Sequence, residues 1–311
     1  MRDGGRMSGT DWGLLVLLSV LWGGSFFFSK VAVEGLPPLT IVLVRFSAAS
    51  ILLYVVLRGI GQEIPKAPVV SLAFAGMGFL NNLVPAGLIV WGQTMIPSGL
   101  ASVLVATTPI FSILATRSIG VDEKLTTGKV FGMALGIAGT VVLFRSNGSD
   151  LSQPSATGIG ACLGAAISYG FANALGSRFR RLGIAPAVGA FGQMTTTSIM
   201  ALPLALAFDH PWQLTFPGAT VLLAMSGLVV LSTALGYVIF FRILASAGAT
   251  NISLVTLLIP VSAILLGSAV LGETLSNVQF AGMLLIGLGL VAIDGRAWGA
   301  LRQSMASSDA A

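Results

Sequence analysis

Ten apolar stretches follow one another along this chain, each about as long as a bilayer is thick, with almost nothing between them. A helix needs about 20 residues to cross the hydrocarbon core. On that length the spans fall at roughly 12–33, 38–58, 68–92, 97–117, 127–145, 157–177, 185–207, 216–242, 248–271 and 276–294. The connections are short and hold the helix breakers Gly35, Pro37, Pro65, Pro97, Pro154, Pro186 and Pro211. None is long enough to hide a soluble domain. Only 9% of the residues are charged, against about 25% in a soluble domain, so too few polar side chains remain to cover a soluble surface. The expected fold is an all-α polytopic membrane protein, with the lipid bilayer as its solvent.

The charges fix an expected orientation. With the N-terminus in the cytoplasm, every basic residue falls on the cytoplasmic side except Lys30 and Arg145, which fall outside, and Arg45, which lies within the second span. Such a bias follows the positive-inside rule and predicts both termini inside an inner membrane. The first apolar run, Leu14 to Phe28, lacks a small-x-small cleavage site and reads as a retained helix.

The two halves resemble each other. Pro109, Glu123 and Gly132 recur in order as Pro260, Glu273 and Gly282, with one residue dropped between proline and glutamate. Trp22-Gly23 matches Tyr169-Gly170 more weakly. Residues 1–150 and 151–311 are therefore expected to be two five-helix repeats. Five is odd, so the second copy enters the membrane from the opposite side. Inverted repeats of this kind recur in secondary transporters, where exchanging the roles of the halves yields inward-open and outward-open states.

Trp22-Gly23-Gly24-Ser25-Phe26, then Ser29-Lys30, Pro37-Pro38 and Val44-Arg45-Phe46 resemble the opening of the EamA-type branch of the drug/metabolite transporter superfamily. Pro260 and the run Leu271-Gly272-Glu273-Thr274-Leu275-Ser276 resemble its signature in the second half. The resemblance covers essentially the whole chain. It implies ten helices in two inverted repeats and carriage of small metabolites, often outward, with amino-acid exporters as the branch suggested.

Polar groups within spans normally face the bundle interior, because lipid cannot satisfy them. The candidates for substrate contact are Trp22, Ser25, Arg45, Asn81, Asn82, Tyr169, Asn173 and Tyr237. Trp22 and Tyr237 would stack on an apolar or aromatic substrate. Asn82 and Asn173 would bond its polar end, and Arg45 would attract a carboxylate unless it snorkels or finds an internal partner. Serines and threonines are expected mostly to bond back to their own helices. Pro85, Pro109 and Pro260 are candidate hinges, since each frees a carbonyl and can bend its helix. Glu123 and Glu273 sit at equivalent span ends, where a carboxylate suits the N-terminus of the following helix. Gly132 with Gly136, and Gly160 with Gly164, have the spacing of close helix seams.

What is missing narrows the reading. No Asp or Glu lies near the centre of a span, so uniport or exchange is expected rather than proton coupling. One cysteine, Cys162, and one histidine, His210, leave no disulfide, no metal-ligand spacing and no cofactor to expect. Basic residues form no clustered face, so no nucleic acid is expected as a partner. An intramembrane lipid-modifying enzyme would need an activated nucleophile or general base, and none is evident. The expectation is an alternating-access transporter exporting amino acids, neutral or aromatic, as a monomer or weak dimer. A drug or nucleobase exporter is the alternative.

Overall fold

The computed structural model describes residues 8–65, 67–118, 127–145, 155–240, 242–243, 246 and 254–294, with the backbone alone for 143–145, 177–181 and 294. Glu123 lies outside the described residues, as does the Asn251–Ser253 segment. The described residues form helices and no strand.

In chain order the helical rods are α1 Gly9–Ala32, α2 Pro38–Gly59, α3 Pro68–Gln93, α4 Ser98–Ser118, α5 Thr127–Arg145, α6 Ala156–Arg181, α7 Pro186–Asp209, α8 Ala219–Phe240, α9 Val255–Leu271 and α10 Asn277–Asp294. Seven are long and apolar enough to span a membrane, and the other three are shorter apolar helices. Their ends follow local chemistry. Ser8 and Asp11 close a capping box on α1. Proline opens α2, α3 and α7, where its missing N–H leaves nothing unpaired. Gly272 ends α9 at φ 66°, a conformation only glycine adopts without strain. Large apolar side chains point outward along the rods: Leu72 is 75% exposed and Leu223 72%. A belt of that kind is solvated by lipid, not by water.

Four rods are not regular. α3 widens into a π-turn at Gly78–Leu83 just before Pro85, and α8 does so at Gly227–Leu235. α7 ends in a third π-turn at Ala205–Asp209. Hydroxyls serve the carbonyls of the α3 turn: Thr197 Oγ1 donates to Gly78 O at 3.0 Å and Ser168 Oγ to Leu80 O at 2.7 Å. α4 breaks between Val105 and Thr108, ahead of Pro109. There Thr107 and Thr108 donate to the carbonyls of Leu104 and Val105 at 2.6 Å each. Pro260 and Pro203 lie inside unbroken helices. Back-bonding thus accounts for many of the intramembrane hydroxyls, as expected from the sequence.

The packing obeys an exchange rule. α1 packs on α9 as α6 packs on α4; α1 on α8 as α6 on α3; α2 on α8 as α7 on α3. The pairs α2–α7, α5–α10 and α4–α9 map onto themselves. Shifting every helix by five reproduces these main pairings, as two inverted five-helix repeats require, while smaller contacts such as α1–α4 and α2–α3 belong to one repeat's arrangement alone among the described residues. Glycine makes the equivalent approaches possible. A Cβ on Gly23 would sit 2.9 Å from Ala263 N and Ile259 O of α9, and one on Gly170 2.7 Å from Phe111 C of α4. The faint match between Trp22-Gly23 and Tyr169-Gly170 therefore marks a shared contact. Gly132 and Gly139 of α5 pack on the backbone of α10 at Gly289 and Gly282. Gly136 faces Ile110 of α4 while its backbone N lies 2.9 Å from where a Cβ on Gly289 would sit; of the second pair, Gly164 approaches Leu88 of α3 and Gly160 has no neighbour within 4 Å. The small-residue spacing gives a helix a smooth face but does not say whether another helix covers it.

Candidate substrate site

Call the end of the bundle that holds the N-terminus proximal. The connections α1–α2, α3–α4, α7–α8 and α9–α10 then lie at the distal end, and charged groups fasten them there. Glu273 accepts from Ser98 N at 2.7 Å, Ser98 Oγ at 2.9 Å and Gly99 N at 3.3 Å. It caps α4 of the other repeat. The expectation that it caps the following helix is corrected: α10 is capped by Ser276, whose Oγ accepts from Gln279 N at 3.2 Å while Gln279 Oε1 accepts from Ser276 N at 3.0 Å. Packing of the repeats brings the α4 terminus nearer to the carboxylate than the terminus next in sequence. Asp209 Oδ2 likewise accepts from Thr40 N at 2.6 Å and Thr40 Oγ1 at 2.9 Å, close to the start of α2. Lys30 Nζ donates to Gln93 O at 2.6 Å and Ile96 O at 3.1 Å, at the C-terminal end of α3. Each charge is opposite in sign to the helix end it meets.

Deeper in the bundle lies a different arrangement. Arg45 on α2 donates through Nε to Thr233 Oγ1 of α8 at 3.2 Å, and its guanidinium lies 5.3 Å from the Phe46 ring centroid. Tyr169 on α6 and Tyr237 on α8 are close enough to interact electrostatically with it. Trp22 on α1 meets Tyr237 edge-on at 6.2 Å and stacks on Phe240 at 5.5 Å. Gly236 makes room for that indole, since a Cβ there would sit 2.7 Å from Trp22 Nε1. Arg45, Tyr169, Tyr237 and Trp22 all keep partial exposure although they sit inside the packed spans. Tyr169, Tyr237 and Trp22 each pack on the margin of a different apolar cluster, so the group sits where three clusters meet.

Four of the sequence candidates thus converge: Trp22, Arg45, Tyr169 and Tyr237. Ser25 lies on α1 one turn beyond Trp22, partly buried and with no hydrogen bond among the described residues. Asn81 Nδ2 donates to Gln193 Oε1 on α7 at 3.0 Å. Asn82, 4% exposed, keeps its Nδ2 without a partner. Ser232 Oγ, 1% exposed, is unpartnered too. Asn82 and Ser232 occupy the π-turns of α3 and α8, at the spacing that relates Gly132 to Gly282. Asn173 is exposed and donates to Ser112 Oγ at 3.1 Å, apart from the aromatic group. Phe240 joins the site without having been foreseen. An aromatic in an apolar span carries no polar signal, and only its place one turn after Tyr237 could have suggested it. Among the described residues no group of acidic, histidine and cysteine side chains is placed to hold a metal.

Comparison with known proteins agrees with this architecture. Residues 12–145 and 156–293 each match the EamA-like transporter family. The chain is 30% identical over 273 residues to an Escherichia coli protein named uncharacterized inner membrane transporter YedA, covering 86% of this chain and 85% of that one. It is 29% identical to a probable amino-acid metabolite efflux pump of Salmonella typhimurium, over 91% and 94% of the two chains. It is 27% identical to a probable terminal-alkyne amino-acid exporter of Streptantibioticus cattleyicolor, over 96% and 98%. One solved crystal structure superposes with a TM-score of 0.63 at 17% identity, covering 92% of this chain and 96% of the other, which shows the fold alone. A multi-pass inner-membrane protein with two matching halves, this chain belongs to the EamA-like transporter family and is a small-molecule transporter, not an enzyme.

Proposed function

We propose that the protein exports amino acids, neutral or aromatic, by alternating access, as a uniporter or exchanger driven by the substrate's own gradient. One observation carries the reading: a guanidinium inside the membrane-spanning bundle, neighboured by Tyr169 and by Tyr237, which Trp22 meets from its other side, and with no carboxylate of the described residues against it. A cation held in that position favours a ligand with a carboxylate, and the aromatic walls favour an apolar or aromatic side chain beside it. The names of the relatives, an amino-acid metabolite efflux pump and an amino-acid exporter, support the same substrate class.

In this reading the repeats are 1–150 and 151–311, both termini are cytoplasmic, and the distal rim faces outward. Ser25, Asn81, Asn82 and Asn173 serve the substrate's polar groups as it passes. Pro85, beside the α3 π-turn, and Pro109, at the α4 break, are the hinges, with Pro260 their counterpart in the second half. The working unit is a monomer or weak dimer. Counterflow with purified protein in vesicles tests the proposal. Internal unlabelled phenylalanine or leucine should drive saturable uptake of the labelled compound, unaffected by an imposed pH gradient. Saturable uptake of purines or cationic dyes, with none of amino acids, would favour a drug or nucleobase exporter instead.

A further inference from the structure

We infer that Arg45 makes this carrier an exchanger rather than a uniporter: the bundle changes facing readily only with a carboxylate seated on Arg45. This rests on the amino-acid reading above and narrows its coupling. The argument begins with what Arg45 lacks. Among the described residues Nε alone of its nitrogens has a hydrogen-bond acceptor, the neutral Thr233 Oγ1. Tyr169 and Tyr237, its electrostatic neighbours, are neutral as well. The acidic side chains that the structure describes are held elsewhere. Asp11 accepts from Ser8 and Ser246 at the start of α1. Asp209 and Glu273 are engaged at the distal rim. Glu34 and Glu63 lie in the connections after α1 and α2.

None of these described carboxylates can therefore travel to Arg45 without giving up its hydrogen bonds or leaving a loop. Water at the partly exposed guanidinium balances the charge while the site is open. Passing between facings closes the site on both sides and removes that water. A dry, unpaired guanidinium in a membrane interior is strongly disfavoured, whereas a carboxylate bound in a two-pronged fashion neutralises it. The loaded carrier thus crosses with its charge paired, and the empty one crosses with it bare. The return step is the slow one unless another carboxylate-bearing substrate is carried back.

The test uses the full chain, purified and reconstituted into vesicles loaded with labelled phenylalanine. Efflux is followed into buffer, or into buffer with phenylalanine, 3-phenylpropionate, or phenethylamine, which lacks the carboxylate. Phenylalanine outside should accelerate efflux at least about tenfold, which is about 1.4 kcal/mol in the barrier. Phenylpropionate should accelerate it too, and phenethylamine should not. In Arg45→Gln the efflux into plain buffer should approach the exchange rate, although both need more substrate. Efflux into plain buffer as fast as exchange, or acceleration by phenethylamine equal to that by phenylalanine, overturns the inference while leaving the substrate reading intact. Absence of any phenylalanine flux overturns both. Should Arg45→Gln prove unstable, the wild-type comparison of external compounds decides alone.

Discussion

The distal rim and the middle of the bundle use charge in opposite ways. At the rim Glu273, Asp209 and Lys30 each meet a helix end of the opposite sign, and each reaches a different helix from its own. In the middle, Arg45 meets one hydroxyl and an aromatic face. Rim charges have spent their bonding capacity on holding helix ends together. Arg45 has kept most of its own. In a chain where 9% of the residues are charged, a difference of that sort is what the proposal uses to separate structural charges from one that would serve a ligand.

The sharpest way to break the comparison is to remove each kind of charge. Arg45→Gln should raise the half-saturating phenylalanine concentration in counterflow by about 10–100-fold, as expected for losing a charged hydrogen bond of about 1.5–3 kcal/mol. A lowered melting temperature with unchanged affinity would move Arg45 into the structural class. Glu273→Ala leaves Ser98 N, Ser98 Oγ and Gly99 N without their acceptor, so stability should fall by about 2 kcal/mol. Thermal unfolding in detergent measures this, and affinity should stay unchanged. Gly236→Val drives a side chain into Trp22 Nε1 at a cost of about 1.5 kcal/mol. Preference for phenylalanine over alanine in competition assays should weaken, while the requirement for a carboxylate survives. The smallest effect belongs to Thr40→Val, which removes one of two bonds to Asp209. About 1 kcal/mol of stability should go, read by the same melt.

Span number, repeat and family were legible because bilayer thickness and loop charge impose long-range regularities on sequence. Arg45 was legible too, since few side chains are as costly inside a span. The partner of Glu273 was not: the residue it caps lies far away in sequence, and the choice depends on how one repeat sits on the other. The π-turns of α3 and α8 were also hidden. Pro85 hints at the first, but Gly227–Leu235 contains no proline and no composition that encodes a wider turn. Asn82 looked like a ligand group because burying an amide is costly, and its Nδ2 is indeed unpaired. Asn173 carried the same sequence signal and lies exposed, bonded to Ser112, because residue type does not reveal which way a helix is turned.

The exchange rule in the packing sorts the molecule's joints into two kinds. Joints that map onto themselves, α5–α10 with its interlocked glycine backbones and α2–α7, look alike whichever repeat plays the inner role, and under the proposed alternating access they would serve as fixed axles. Joints that map onto one another, α1–α9 and α6–α4, would under the same proposal form a balance whose arms trade length at each crossing. Gly23 and Gly170 would be its two fulcrums, so bulk added at one should tilt the carrier toward a single facing and bulk at the other should tilt it back.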